Sequence, residues 1–149
     1  MPEKETVERA RRDRRQGKAP STQAGEFVHE EIEHVREGKH GARSTKQAIA
    51  IGLSKARRAG VQLPPPKGGK ASTRKSAESA SRAGRSGRKA SPRRARAVRK
   101  ALKREPHRAA SRKALSRQAH SSARGRSSAA RSAAARKAAR TRARSAKRK

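Results

Sequence analysis

Residues 42–60, ARSTKQAIAIGLSKARRAG, read as an amphipathic helix with both of its ends specified. Ser44-Thr45-Lys46-Gln47 has capping-box spacing, with a glutamine three residues after the cap. Ile49, Leu53 and Ala56 follow at i, i+4 and i+7 and share one face. Small residues at Gly52, Ala56 and Gly60 let a second helix approach closely, while Ile51 falls off the stripe and is expected to be exposed. Arg57 and Arg58 suit the last turn, Gly60 stands where a C-terminal cap belongs, and Val61 can fold back onto the helix. Pro64 to Pro66 end the segment and begin an extended spacer.

On the N-terminal side, EFVHEEIEHVRE at 26–37 places Val28, Ile32 and Val35 on a second helical stripe, with Gly38 as its stop and KHGAR at 39–43 as the turn. Residues 26–63 are therefore expected to form an all-α helical hairpin, with Val28, Ile32, Val35, Ile49, Leu53 and Ala56 as its docking or packing residues. Further out, residues 1–25 are a charged N-terminal segment. A helix is expected over 3–16, supported by Glu5–Arg9 and Glu8–Arg12 pairs at i,i+4 and stopped by Gly17; GKAPSTQAG, 17–25, reads as a linker or turn.

The rest of the chain has a different composition. The 149 residues carry a formal net charge of +33. Residues 64–149 hold 30 of the basic residues and only two acids, Glu78 and Glu105. Val, Ile, Leu, Phe and Met total 14, nine of them between residues 27 and 63. Ordering a residue costs roughly 1–2 kcal/mol, which so few large apolar groups cannot offset over the whole length. The expected fold is mostly disordered, a small helical hairpin followed by a long basic low-complexity tail over 64–149 that becomes partly helical when bound. Within it, Ser91-Pro92 begins a segment with Ala95, Val98 and Leu102 on one face, Pro106 breaks that segment, and 129–149 is rich in helix formers.

A tail of this charge calls for a polyanion, with nucleic acid ahead of anionic membrane. The candidate phosphate-binding residues are Arg82, Arg85, Arg88, Lys89, Arg93, Arg94, Arg96, Arg99, Lys100, Lys103, Arg104, Arg112, Lys113, Arg136, Lys137, Arg140, Arg142 and Arg144. With no Trp or Tyr and one Phe, outside the tail, base stacking is not available there, and no helix-turn-helix, finger or ribbon signature is present. Backbone contacts without sequence specificity are expected, from a cytoplasmic, nucleoid-associated DNA-coating protein. Ser91-Pro92-Arg93-Arg94 also resembles the Ser-Pro-basic-basic turns that lie in narrow minor grooves. The hairpin, too short to fold comfortably alone, is expected to pair as a homodimer or bind a protein partner, which doubles the tails and raises avidity. The alternatives are an RNA- or ribosome-associated basic protein, and an adaptor held on DNA by its tail.

Other classes find little support. No run reaches the ~20 apolar residues of a membrane span, and there is no cysteine. His29 and His34, five apart, fall on different helix faces, so neither a metal nor another cofactor is expected. Glu30, Glu33 and Glu37 gather on what reads as one exposed face, and no buried polar constellation suggests an enzyme.

Over 21–66 the chain resembles an uncharacterised family of small basic bacterial proteins. The likeness is carried by Lys39-His40-Gly41 and by S-x-KQAIAI-x-LS-x-AR-x-AG from Ser44 to Gly60. It implies a Lys/Arg-rich tail and DNA binding of a general kind, and supplies no catalytic residues. The tail separately resembles, in composition, those of linker-histone-like bacterial proteins.

Overall fold

The computed structural model describes residues 2–87 and 91–147. These form seven α-helices: α1 (Lys4–Arg15), α2 (Pro20–Arg36), α3 (Thr45–Arg58), α4 (Ala71–Arg85), α5 (Pro92–Leu102), α6 (Arg112–Arg124) and α7 (Ser128–Ala146), with a short 3-10 turn at His107–Ala110. They fall into two compact units, residues 1–111 and 112–149.

The α3 helix forms as its ends dictate. The Ser44 side chain accepts the Gln47 amide at 3.2 Å, and the Gln47 side chain reaches back to the Arg43 amide at 2.7 Å. At the other end Gly60 takes φ +92, the Val61 amide bonds back to Ala56 O at 3.0 Å, and Val61 is buried in the core. The α2 helix begins earlier than its stripe indicates. Pro20 occupies the first turn, where its missing N–H costs nothing, so residues 20–25 are helical and not linker. The α1–α2 junction is fixed by Lys18, whose ammonium lies 2.6 Å from buried Asp13 and whose carbonyl accepts from Gln23 at 2.9 Å.

In the first unit α2 packs on α1 and α3, and α3 also packs on α4. The core joins Ala10 of α1, Ala24 and Phe27 of α2, Ala56 of α3 and Val61, with Val7, Leu53 and Leu63 at its edge. Of the docking residues read from the sequence, Ile32, Val35 and Ala56 are buried and Val28, Ile49 and Leu53 half-buried. Ile51 is half-buried rather than exposed. The α2–α3 crossing is tight: a Cβ on Gly52 would lie 2.7 Å from Val28 Cα. The α4 helix carries no large apolar residue; it packs through Ala77 and Ala80, and Gly84 sits directly against the Arg57 carbonyl.

Residues 102–110 close the unit from a distance. The Gly41 and Ala42 amides donate to Leu102 O (2.9 Å) and Pro106 O (3.1 Å). The Thr45 hydroxyl donates to Ala109 O at 2.6 Å and Arg36 Nε to Ala110 O at 3.0 Å. Gly41 has no room for a side chain, because the Glu105 carbonyl lies where a Cβ would stand.

The expectation of a mostly disordered chain with a disordered tail over 64–149 is therefore overturned. Residues 71–85, 92–102, 112–124 and 128–146 are helical, and 102–110 are part of the first unit. The expectation fails because it weighs only large side chains. Among the described residues, nine of the thirteen buried apolar side chains are alanines, which let helix backbones approach closely and lose little rotamer entropy on burial.

In the second unit, α6 and α7 contain no buried residue. Ser127 caps α7 by accepting the Ala130 amide at 3.2 Å. Its length of 19 residues exceeds the ~12–15 that an alanine-rich helix needs to hold together in water.

Candidate functional site

Two groups of side chains carry chemistry. The first is a set of basic helices. The α5, α6 and α7 helices bear five, four and six Lys or Arg and no acid, and none contains a buried residue. On α5, Arg93, Arg96, Arg99 and Lys100 occupy one side, opposite Ala95, Val98 and Leu102; Val98 remains 52% exposed. On α7, Arg136, Arg140 and Arg144 recur every four residues with Lys137 beside them, while Arg142 lies away from this row. Arg112 and Lys113 open α6, and Lys103 and Arg104 follow α5 as exposed residues. Among the described residues, no base of α5, α6 or α7 makes an ion pair. Arg82 and Arg85, on α4, line a shallow groove with Glu78, Gln62, Leu63 and Pro65. Arg88 and Lys89 lie outside the described residues. Ser91 and Pro92 do start α5, although the Ser91 side chain makes no capping hydrogen bond.

The second group is a buried ionic cluster in the first unit. Glu30 and Glu31 stand on α2 with side chains 2% and 0% exposed. The exposed face expected for Glu30 is therefore a buried one. Both share one ammonium: Lys55 Nζ of α3 lies 3.3 Å from Glu30 Oε1 and 2.7 Å from Glu31 Oε2. Glu30 also accepts the Glu3 backbone amide at 3.1 Å, which holds the start of α1 against α2. His40, from the turn after α2, places Nε2 3.3 Å from Glu31 Oε1. His34, one turn beyond Glu31, has Nε2 2.9 Å from Glu3 Oε1, and Lys39 lies 3.2 Å from the same oxygen. The His34 hydrogen bond, with help from Lys39, holds the Glu3 carboxyl below the usual carboxylate range. Lys39 is raised above the ordinary lysine value by its bonds to Glu37 and Glu3.

One ligand atom from each of Glu31, His34 and His40 lies within 4.8 Å of the others. Sequence reasoning compared His34 with His29, which is exposed, and so missed this trio. The available signals were Glu31-x-x-His34, an i,i+3 pair on one helix face, and a third donor in the Lys39-His40-Gly41 turn.

Of the positions read as a docking surface, Ala56 and Leu53 pack in a core with Ala10 and Val7 of α1, while Val28, Ile49 and Leu53 stay half-buried. Among the described residues, no helix is long and apolar enough to cross a membrane. No curated protein and no solved structure matches the chain. Residues 3–67, the stretch that holds Glu3, Glu30, Glu31, His34, His40 and Lys55, fit the model of a family of unknown function, DUF6496, which gives no sign of enzyme activity.

Proposed function

We propose that this protein binds nucleic acid through the phosphate backbone, without sequence specificity, using the bases of α5, α6 and α7. One observation carries the reading: these helices bury no residue and hold no acid, so their cations face solvent with no carboxylate among the described residues to neutralise them. Arginine is suited to the task because its planar fork grips phosphate through two hydrogen bonds. Readout by base stacking has no side chain to work with. The chain's one Phe, Trp or Tyr is Phe27, which is fully buried and cannot stack on a base. The likeness of residues 39–60 to small basic bacterial proteins with Lys/Arg-rich tails agrees with a role in coating the nucleoid.

The strength of the effect follows from counterion release. Each phosphate neutralised on duplex DNA contributes a slope of roughly −0.9 to the dependence of log K on log salt. Full engagement of the six bases of α7 alone gives about −5 on that scale. The test is fluorescence anisotropy with the full chain on random duplex DNA and on structured RNA across a salt series. The expected result is steeply salt-dependent binding that is indifferent to sequence. The triple variant Arg136→Gln/Arg140→Gln/Arg144→Gln should flatten the slope by about 0.9 for each phosphate it no longer neutralises. A clear preference for RNA at physiological salt assigns the protein to RNA instead. Binding too weak to respond to the triple variant overturns the proposal.

A further inference from the structure

The buried cluster of the first unit has no part in phosphate binding, and its electrostatics do not balance. Glu3, Glu30, Glu31 and Glu37 are tied together through Lys39, Lys55 and the two imidazoles. Glu3, Glu37 and Lys39 are about half exposed, so the buried balance is Glu30 and Glu31 against Lys55 alone, one negative charge in excess. The deficit centres on Glu31. Its side chain is fully buried, and neither carboxylate oxygen receives a hydrogen bond; Lys55 supplies proximity at 2.7 Å without hydrogen-bond alignment. A buried carboxylate in that condition is costly unless a cation completes its surroundings.

The imidazole of His40 faces that carboxylate. Its Nδ1 lies 3.0 Å from the Gly41 carbonyl, which can only accept, so Nδ1 carries the hydrogen. Nε2 is then the ring nitrogen that faces Glu31 Oε1, 3.3 Å away, and that oxygen receives no hydrogen bond. A cation between these two atoms satisfies both. Two ligands on one tetrahedral zinc ion, with bonds of about 2.0–2.1 Å, stand about 3.3 Å apart, the separation found here. His34 completes the set. Its ring meets that of His40 edge to face with centroids 6.1 Å apart, and one ligand atom of each of the three residues falls within 4.8 Å of the others. The His34 and His40 side chains are 12% and 13% exposed, open enough for an ion to enter and enclosed enough to hold it.

We propose that Glu31, His34 and His40 bind one divalent transition-metal ion of the zinc class. Two imidazoles and one carboxylate, with no thiolate, suit Zn²⁺ and its cobalt substitute and are a poor match for Mg²⁺ or Ca²⁺, which take all-oxygen shells. Glu3 stands outside this set, as the hydrogen-bond partner of His34 Nε2 at 2.9 Å. The role is structural: the ion clips the 38–41 turn to α2. The Gly41 carbonyl fixes the His40 tautomer, as the outer partners of metal-bound histidines do.

The probe is Co²⁺ added to the full chain after dialysis against chelator, read by its visible absorption and displaced with Zn²⁺. One Co²⁺ per chain is expected, with Zn²⁺ raising the thermal midpoint as a ligand of the folded state does. His34→Gln and His40→Gln should each weaken binding by about 100-fold, the upper end of what loss of even an outer-shell partner costs, and should abolish the midpoint gain. His29→Gln and His120→Gln, at exposed positions, should leave both unchanged. Nitrogen NMR of the wild-type histidines keeps the test open should a variant fold poorly. A shift of the His40 ring nitrogens on adding one equivalent of Zn²⁺ supports the site. A His40 ring that responds to protons and ignores Zn²⁺ overturns it, as does Co²⁺ uptake unaffected by His34→Gln and His40→Gln.

Discussion

The first unit and the second are both helical, for opposite reasons. In residues 1–111 each of α1 to α4 buries side chains. Charge is taken inside and paired there at least in part: Asp13 with Lys18, while Glu30 and Glu31 share the single ammonium of Lys55. In residues 112–149 no described helix residue is buried, and what favours the helix is alanine and a serine cap. One unit is held by burial and resists local change. The other rests on intrinsic propensity, keeps its cations in water, and leaves them available to a polyanion.

The contrast is broken most severely by Phe27→Ala. Removing the largest fully buried side chain should cost about 3–5 kcal/mol. Hydrogen exchange followed by mass spectrometry should show residues 1–111 losing protection while peptides of α7 are unchanged. Gly52→Val comes next, at about 1–3 kcal/mol, because the new side chain meets the α2 backbone at Val28 and the helices must separate. The midpoint of chemical denaturation reports it. Thr45→Val keeps the shape and removes the hydroxyl that bonds Ala109 O; a loss of about 1 kcal/mol is expected, with extra exchange concentrated at 102–110. The smallest effect sharpens the comparison from the other side. Ala135→Gly alone should cost α7 about 0.5–1 kcal/mol of helix stability, seen as lost ellipticity, without moving the unfolding midpoint of the first unit.

In the first unit the α2–α3 hairpin could be read from the residues, but the segment from 64 to 111 could not. Ser44, Gln47 and Gly60 specify the ends of α3 by capping chemistry that is local in sequence, and the stripes of Val35 and Ala56 mark its core. The α4 helix was not legible in that way. Its contacts are made by Ala77, Ala80 and Gly84, and small residues carry the same signature in a packed helix as in an unstructured basic segment. The buried carboxylates were missed for a related reason. Glu30 looks like part of a solvated acidic face, and Glu31 carries no signal of its own, until Lys55, 24 or more residues away, is brought against them by the α2–α3 crossing. His40 joins Glu31 through a turn whose shape depends on Gly41 and on residues 105–106, which no local pattern near His40 announces.

The strap at 102–110 also bears on how the molecule comes to be folded. Thr45 and Ala109 are separated by 64 residues along the chain and Arg36 and Ala110 by 74. Loop closure over such a span grows only slowly with length, at about 0.6 kcal/mol per doubling, but it delays the pairing, because non-local pairings form after local ones. During synthesis α1, α2 and α3 leave the ribosome well before the segment that satisfies the Gly41 and Ala42 amides. The turn bearing His40 is thus among the last parts of the first unit to be set, and it is completed only as the strongly basic C-terminal helices are themselves being made.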